Sequence, residues 1–352
     1  VQHTTENWQV SLSFLAADEE RALSLLEMLL ISPRFEEDRL PAIKNKMLAA
    51  IKQRNDRPED IARRKLNELM HPGLRAGYFL REKDVEKIDI KAIRGDYSSR
   101  LSRRGLTVAL SGHRTEPLMK TVHSILIKIP EQPAMPREVT RFEAIKQPQK
   151  SPIILVDVPT ARQAVIFMGL HLPGQGHPDF FALQHGNYIL GGGSFNSRLM
   201  QEIRARRGLA YYAYSANSFH RETGRFHAGA GTRTDSAATS VRLMLEEIEK
   251  MQKNVSPAEL KLARDAILNS LIFQQDDPAR YAQQQVRFYH NGVPQDFLSI
   301  FRRRLELMQA ETIRSAFRRY VKPEFLQIVV VGPQSLARDL GQIRPVKVVQ
   351  PD

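Results

Sequence analysis

Apolar residues recur with two different periods along the chain. Ala22, Leu25, Leu26, Leu29 and Leu30 fall three and four apart, which predicts an amphipathic helix over residues 23–30. A second long helix is expected over 39–54. It is broken at Asn55-Asp56-Arg57-Pro58, and a third follows over 59–70. After the loop opened by His71-Pro72-Gly73, a further helix is expected over 91–101. The segment Leu106-Thr107-Val108-Ala109-Leu110, closed by Ser111-Gly112, then reads as a strand.

The same layout returns 220 positions later. Leu23 and Leu25 fall on Leu243 and Leu245, Leu48 on Leu268, and Asp56 and Pro58 on Asp276 and Pro278. Ile93-Arg94 falls on Ile313-Arg314, and Gly112 on Gly332 at the end of a strand expected over 326–331. Breakers, last helix and closing strand agree at one offset, so the chain reads as an internal duplication. Between the units, the stretch from Pro130 to Pro152 carries Pro133, Pro136 and Pro148 among polar residues and reads as a linker.

The second unit opens with the strand Ile153-Ile154-Leu155-Val156. Its counterpart would fall before Val1. The first unit is therefore expected to lack about its first 70 residues here, with Val1 a truncation or a processed end. The domain expectation is 1–130, a linker at 131–150, and 151–340. The fold class is α+β: two homologous units, each a mostly antiparallel sheet with helices on one face, the first N-terminally incomplete.

The segment richest in chemistry runs from Leu190 through Gly191-Gly192-Gly193-Ser194-Phe195-Asn196-Ser197-Arg198-Leu199 to Tyr214-Ser215. A helix over 179–190 should end where the three glycines free the backbone for a tight reversal. Asn196 or Ser197 can cap the next helix, and Gly208 is placed to end it in the left-handed conformation. Arg204 then sits in the last helical turn and Tyr211 a few residues into an aromatic-rich strand. A guanidinium and a phenol converging there could donate to a carbonyl oxygen or a developing oxyanion. The plainer alternative stays open on these residues alone: Arg204 as one of four surface arginines, Tyr211 as a sheet residue.

Composition narrows the classes. The 352 residues hold 52 Lys plus Arg against 39 Asp plus Glu, for a net +13. These charges are dispersed and not interleaved with aromatics, so a solvated basic surface is expected in place of a nucleic-acid groove. No apolar run approaches the roughly 20 residues of a membrane helix, and the chain reads as soluble and globular. The absence of cysteine removes thiolate metal sites and cysteine nucleophiles. It suits an oxidising compartment, with the bacterial periplasm as the expectation and the cytosol or mitochondrial matrix as alternatives. The glycine run lacks a following Gly-Lys-Ser/Thr, so it is not read as a phosphate loop. Ser194 and Ser197 lack a His-Asp arrangement for nucleophilic work.

The glycine turn, the Ser-Arg-Leu helix and the Arg-x6-Tyr spacing of Arg204 and Tyr211 resemble the second-domain signature of the M16 (pitrilysin) metallopeptidases, especially their short two-domain members. Pro33-Arg34-Phe35-Glu36-Glu37 and the paired strand-Gly ends also resemble that family, over most of the chain. The resemblance implies that Arg204 and Tyr211 bind substrate backbone and help stabilise a tetrahedral intermediate, with Gly191, Gly192 and Gly193 contributing to substrate binding.

The family's chemistry also needs an inverted H-x-x-E-H motif and a further Glu ligand on a later helix. His3-Thr4-Thr5-Glu6-Asn7 lacks the second His and reads as coincidence. Residues 39–55 contain no Asp or Glu; the resemblance puts the ligand position at Ala50 and its companion at Ile43. Neither side chain can bind zinc. His185 has no Glu beside it and reads as a buried or capping residue, while His171, His177, His220, His227 and His290 suggest no metal site. The implied function is a non-catalytic subunit that pairs with a zinc-bearing M16 homologue around an extended peptide and has no peptidase activity alone. The alternative is a scaffold resembling the respiratory-complex core proteins, and a nucleic-acid-binding module is the third reading.

Overall fold

A computed structural model describes residues 1–3, 7–113, 115–132, 141–147 and 150–351. Its helices are, in chain order, α1 (Glu19–Ile31), α2 (Leu40–Lys52), α3 (Pro58–Met70), α4 (Glu82–Glu86), α5 (Ile90–Arg100), α6 (Thr115–Leu126), α7 (Phe180–Asn187), α8 (Ala237–Lys253), α9 (Pro257–Gln275), α10 (Pro278–His290), α11 (Phe297–Glu306), α12 (Ala310–Tyr320) and α13 (Ala337–Leu340). The strands are β1 (Gln2–His3), β2 (Trp8–Gln9), β3 (Ile153–Asp157), β4 (Gln163–Pro173), β5 (Ala210–Phe219), β6 (Thr223–Arg233), β7 (Gln327–Gly332) and β8 (Val346–Val349). Pro58 and Pro278 each open a helix, where the missing N–H costs nothing.

The chain forms two compact units, each assembled from separated stretches. One comprises Val1–Lys52, Leu80–Val139 and Gln274–Arg287; the other comprises Gln53–Phe79, Thr140–Phe273 and Phe288–Asp352. This partition differs from the sequence boundary at 131–150. The stretch containing α3 joins the second unit, and the stretch 220 positions later, containing most of α10, joins the first. The linker prolines Pro133, Pro136 and Pro148 lie outside the described residues, as does the Thr4-Thr5-Glu6 part of the histidine string.

In the first unit Leu23 of α1 packs with Val122 and Ile125 of α6, and Leu26, Leu110 and Leu118 lie against them. The single proton of the Tyr97 hydroxyl on α5 is shared between the carbonyls of Leu29 (2.8 Å) and Leu30 (3.1 Å) at the end of α1. Helix α2 has no fully buried residue. Residues 106–110 form no strand, contrary to the sequence reading. A strand exists only with a ladder partner, and among the described residues none pairs with this segment.

The second unit is built on one six-stranded sheet in the order β5-β6-β4-β7-β3-β8. Strand β3 runs parallel to β7 and β8, and the other pairs are antiparallel. Alternation along the central strands explains their unbroken apolar runs. Ile153 and Leu155 of β3, with Ile328 and Val330 of β7, enter a core shared with α7, α8 and α12. Ile154, Val156, Val329 and Val331 point to the opposite face, where Ile61, Ala62, Leu66 and Met70 of α3 cover them. Helices therefore lie on both faces of this sheet, where one face was expected. The chain's α+β class is as read; the second layer comes from a helix that precedes the sheet by about 80 residues.

Candidate functional site

Helix α7 continues into a single π-helical turn, Tyr188–Gly192, then a tight turn, Ser194–Asn196, before the chain re-enters a helix that ends as a π-helical turn at Met200–Ala205. None of Gly191, Gly192 and Gly193 has a positive φ; the left-handed residue is Ser194, with φ 51°. The glycines are thus required for close approach, not for the reversal expected of them. A Cβ on Gly191 would collide with the backbone nitrogen of Ser215, and one on Gly193 would stand 2.8 Å from the Tyr188 carbonyl oxygen and ring. Ser197 stands extended at the start of the next helix, but its hydroxyl donates back to the Ser194 carbonyl (2.7 Å) and does not cap the helix.

Gly208 has φ 62°, as its placement predicted, and its N–H closes onto the Arg204 carbonyl at 2.9 Å. Strand β5 begins two residues later with an irregularity. Ala210 pairs with Thr232 and Tyr212 with Gly231, so Tyr211 is an extra residue opposite no partner. Such a bulge re-aims the side chain it carries. Tyr211 is 76% exposed, and the Arg204 guanidinium carbon lies 5.5 Å from its ring centre. Arg204 also stands 5.3 Å from the ring of Phe195, itself 62% exposed.

The four arginines of the segment differ in their partners. Arg198 holds Glu259 through two bonds, at 2.7 and 2.9 Å, and also reaches the Asn254 carbonyl. Against a burial that would raise it, Arg198 and Ser256 keep the Glu259 carboxyl down at about 2. Arg206 and Arg207 both pair with Glu202, at 3.1 and 2.7 Å. Among the described residues Arg204 pairs with no carboxylate. Its charge rests beside two aromatic rings, which leaves guanidinium N–H groups available next to an exposed phenol. The structure thus brings Arg204 and Tyr211 together. Sequence reasoning missed Phe195 and the bulge: the first had no signal beyond an aromatic in a turn, and the second is a property of two strands in register.

On α2, Ile43 is 51% exposed and Ala50 is exposed as well. Seven residues apart, they share a helix face, and neither offers an electron pair to a metal. Among the described residues no group of three His, Cys, Asp or Glu side chains could hold a metal ion. The residues present do not fit a zinc ion. His185 is fully buried, with Nε2 donating to the Leu260 carbonyl at 3.1 Å, and burial pushes its pKa down to about 4. It is a neutral core histidine. No described helix is long and apolar enough to cross a membrane.

Residues 87–267, just over half of the chain, match the family model described as Peptidase M16 inactive domain. The chain is 25% identical over 340 residues to "Non-peptidase homolog YmxG" of Helicobacter pylori, an alignment covering 94% of this chain and 76% of that protein. Among solved structures it is similar to a peptidase M16 inactive domain from Pseudomonas fluorescens, with a TM-score of 0.77 and 23% identity, over 91% of this chain and 76% of that one. It is also similar to a protease from Helicobacter pylori, with a TM-score of 0.74 and 16% identity, over 90% and 77% of the two chains. At these identities the structural likeness shows the fold alone.

Proposed function

The chain belongs to the M16 peptidase family, as its inactive-domain type, and from that premise we propose that it is the substrate-gripping half of a two-subunit peptidase. It is a non-catalytic M16-like protein. A zinc-bearing homologue would supply the metal and the general base; this chain would supply Arg204, Tyr211 and part of the wall around an extended peptide. The observation that carries the reading is the Arg204–Tyr211 couple, in which a guanidinium without a carboxylate partner stacks on a phenol exposed by a bulge. The segment's other three arginines are tied to glutamates, so a structural ion pair does not account for Arg204.

In this role the guanidinium and phenol donate hydrogen bonds to a peptide carbonyl and strengthen them as charge develops on its oxygen. Gly191–Gly193 act indirectly, by letting the turn pack against β5 closely enough to bring Phe195 beside Arg204. The cysteine-free sequence suits a periplasmic setting for the pair.

The test is reconstitution with a zinc-bearing M16 homologue and an unstructured peptide substrate. The chain alone is expected to be inactive and the mixture active. Tyr211→Phe or Arg204→Ala should lower kcat of the mixture by about 10²-fold, the usual effect of removing one oxyanion donor, while the two subunits still co-elute. Peptide hydrolysis by the isolated chain would overturn the proposal. Unchanged kcat in both variants would favour the scaffold alternative.

A further inference from the structure

Helix α3 lies over β4 and β7. The same face of the sheet continues past it onto β6 and β5, where it is only half covered. Register sets what stands there. On β6, Arg225, His227, Gly229 and Gly231 share this face, opposite Ser218, Ala216, Tyr214 and Tyr212 of β5. The glycines form a floor for the two tyrosine rings: a Cβ on Gly229 would stand 2.9 Å from Tyr214, and one on Gly231 2.5 Å from Tyr212. The His227 ring meets Tyr214 edge-on at 5.6 Å.

Arg225 is the unusual member. It is half-buried, enough that burial lowers its pKa, and it makes one hydrogen bond, to Asn67 Oδ1 of α3 at 3.0 Å. Among the described residues it has no carboxylate partner. Burial is the influence on its charge, and among the described residues no carboxylate acts on it. His171, opposite it on β4, and His71 at the end of α3 are both kept neutral chiefly by burial, and Arg63 on α3 adds a second cation. Arg63 is itself paired with Asp60 at 3.3 Å. Glu59 is the acid whose charge reaches this face, and it does so at the Tyr212 end. A half-buried guanidinium that makes one hydrogen bond among the described residues keeps N–H donors with which to receive a carboxylate.

We propose that this strip is an acceptor site for acidic side chains of an extended peptide, with Arg225 as its charge and His227 and Tyr214 as its wall. The inference deepens the peptide-gripping reading and rests on it, because the strip lies along the strand that Tyr211 heads. Arg225 stands opposite Ser218, seven residues beyond Tyr211, or about 23 Å at the rise of a strand. An acidic residue about seven positions from the carbonyl held at Arg204 and Tyr211 would reach it.

The experiment is fluorescence anisotropy on the full chain, without any partner. Two labelled 20-residue Gly/Ser/Ala peptides serve as probes, one carrying three Glu residues and the other Gln at the same places. The Glu peptide should bind at least tenfold more tightly than the Gln peptide. Arg225→Gln should abolish that preference and Arg225→Lys keep most of it; circular dichroism melts of both variants separate loss of charge from loss of fold. In Arg206→Gln, whose guanidinium is engaged with Glu202 at 3.1 Å and lies outside both the grip and the strip, the preference should persist. Equal binding of both peptides to the wild-type chain, or an intact preference in a folded Arg225→Gln, overturns the acceptor site and leaves the peptide grip standing. Binding of neither peptide overturns both.

Discussion

Helices α2 and α3 are consecutive, separated only by residues 53–57, and each carries several large apolar residues spaced among polar ones. Their fates are opposite. Helix α3 buries Ile61, Ala62, Leu66 and Met70 against the sheet, whereas α2 buries nothing completely and leaves Ile43 half in solvent. Hydrophobic periodicity states what a helix can cover; the surface that meets it decides what it stabilises. The same contrast carries over to chemistry. The acid-free face of α2 presents alkyl groups where the M16 resemblance asks for metal ligands, while the second unit keeps a charged and aromatic couple open to solvent.

Truncation is the sharpest way to break this contrast. Leu66→Ala in α3 should cost about 2–5 kcal/mol, and Ile43→Ala in α2 less than about 1 kcal/mol, by urea unfolding. Equal costs would show that α2 is seated on a surface after all.

Acid should separate the two helices next. His171 Nε2 donates to the Met70 carbonyl at 2.8 Å and His71 Nδ1 to the Asn67 carbonyl at 3.0 Å, which ties both rings to the end of α3. Burial outweighs these bonds in favouring their neutral forms. Burial lowers both pKa values, that of His71 to about 4, and the nearby Arg225 charge acts in the same direction. The unfolded chain therefore takes up more protons than the folded one between about pH 6.5 and pH 4. This contribution to stability is whole above pH 6.5 and falls away as the pH drops towards 4. After discounting for solvent screening the loss is on the order of 1 kcal/mol. Hydrogen exchange at pH 7 and pH 4.5, corrected for intrinsic rates, should show protection lost in α3 and unchanged in α2.

The smallest effect is expected from restoring acids to α2. Ile43→Glu with Ala50→Glu should shift stability by no more than about 0.5 kcal/mol, because both sites are exposed. Elemental analysis should find no stoichiometric zinc in the double variant, because two added glutamates supply neither histidine of an H-x-x-E-H motif.

Much of this was legible in the sequence where the cause is local. Pro58 and Pro278 mark helix starts, and Gly208 marks a left-handed end. The spacing from Arg204 to Tyr211 predicted their convergence because a helix end and a reversal fix it within seven residues. What the sequence hid depends on distant partners. Residues 106–110 have strand composition without a strand beside them. The role of Gly191 depends on Ser215, 24 positions away, and the seat of α3 depends on strands that follow it by about 80 residues or more. The Arg225 strip joins β6 to a helix 158 positions earlier, and no local pattern announces it.

The bulge at Tyr211 has a consequence for how this surface can change. A residue in regular alternation belongs to one face of its sheet, and its outlook is tied to that of its neighbours two positions away. Tyr211 is surplus to the count, so its phenol answers to neither face. Substitutions along β5 could recast both sheet surfaces and leave the phenol's aim intact, whereas losing a single residue between Gly208 and Tyr212 would turn it away.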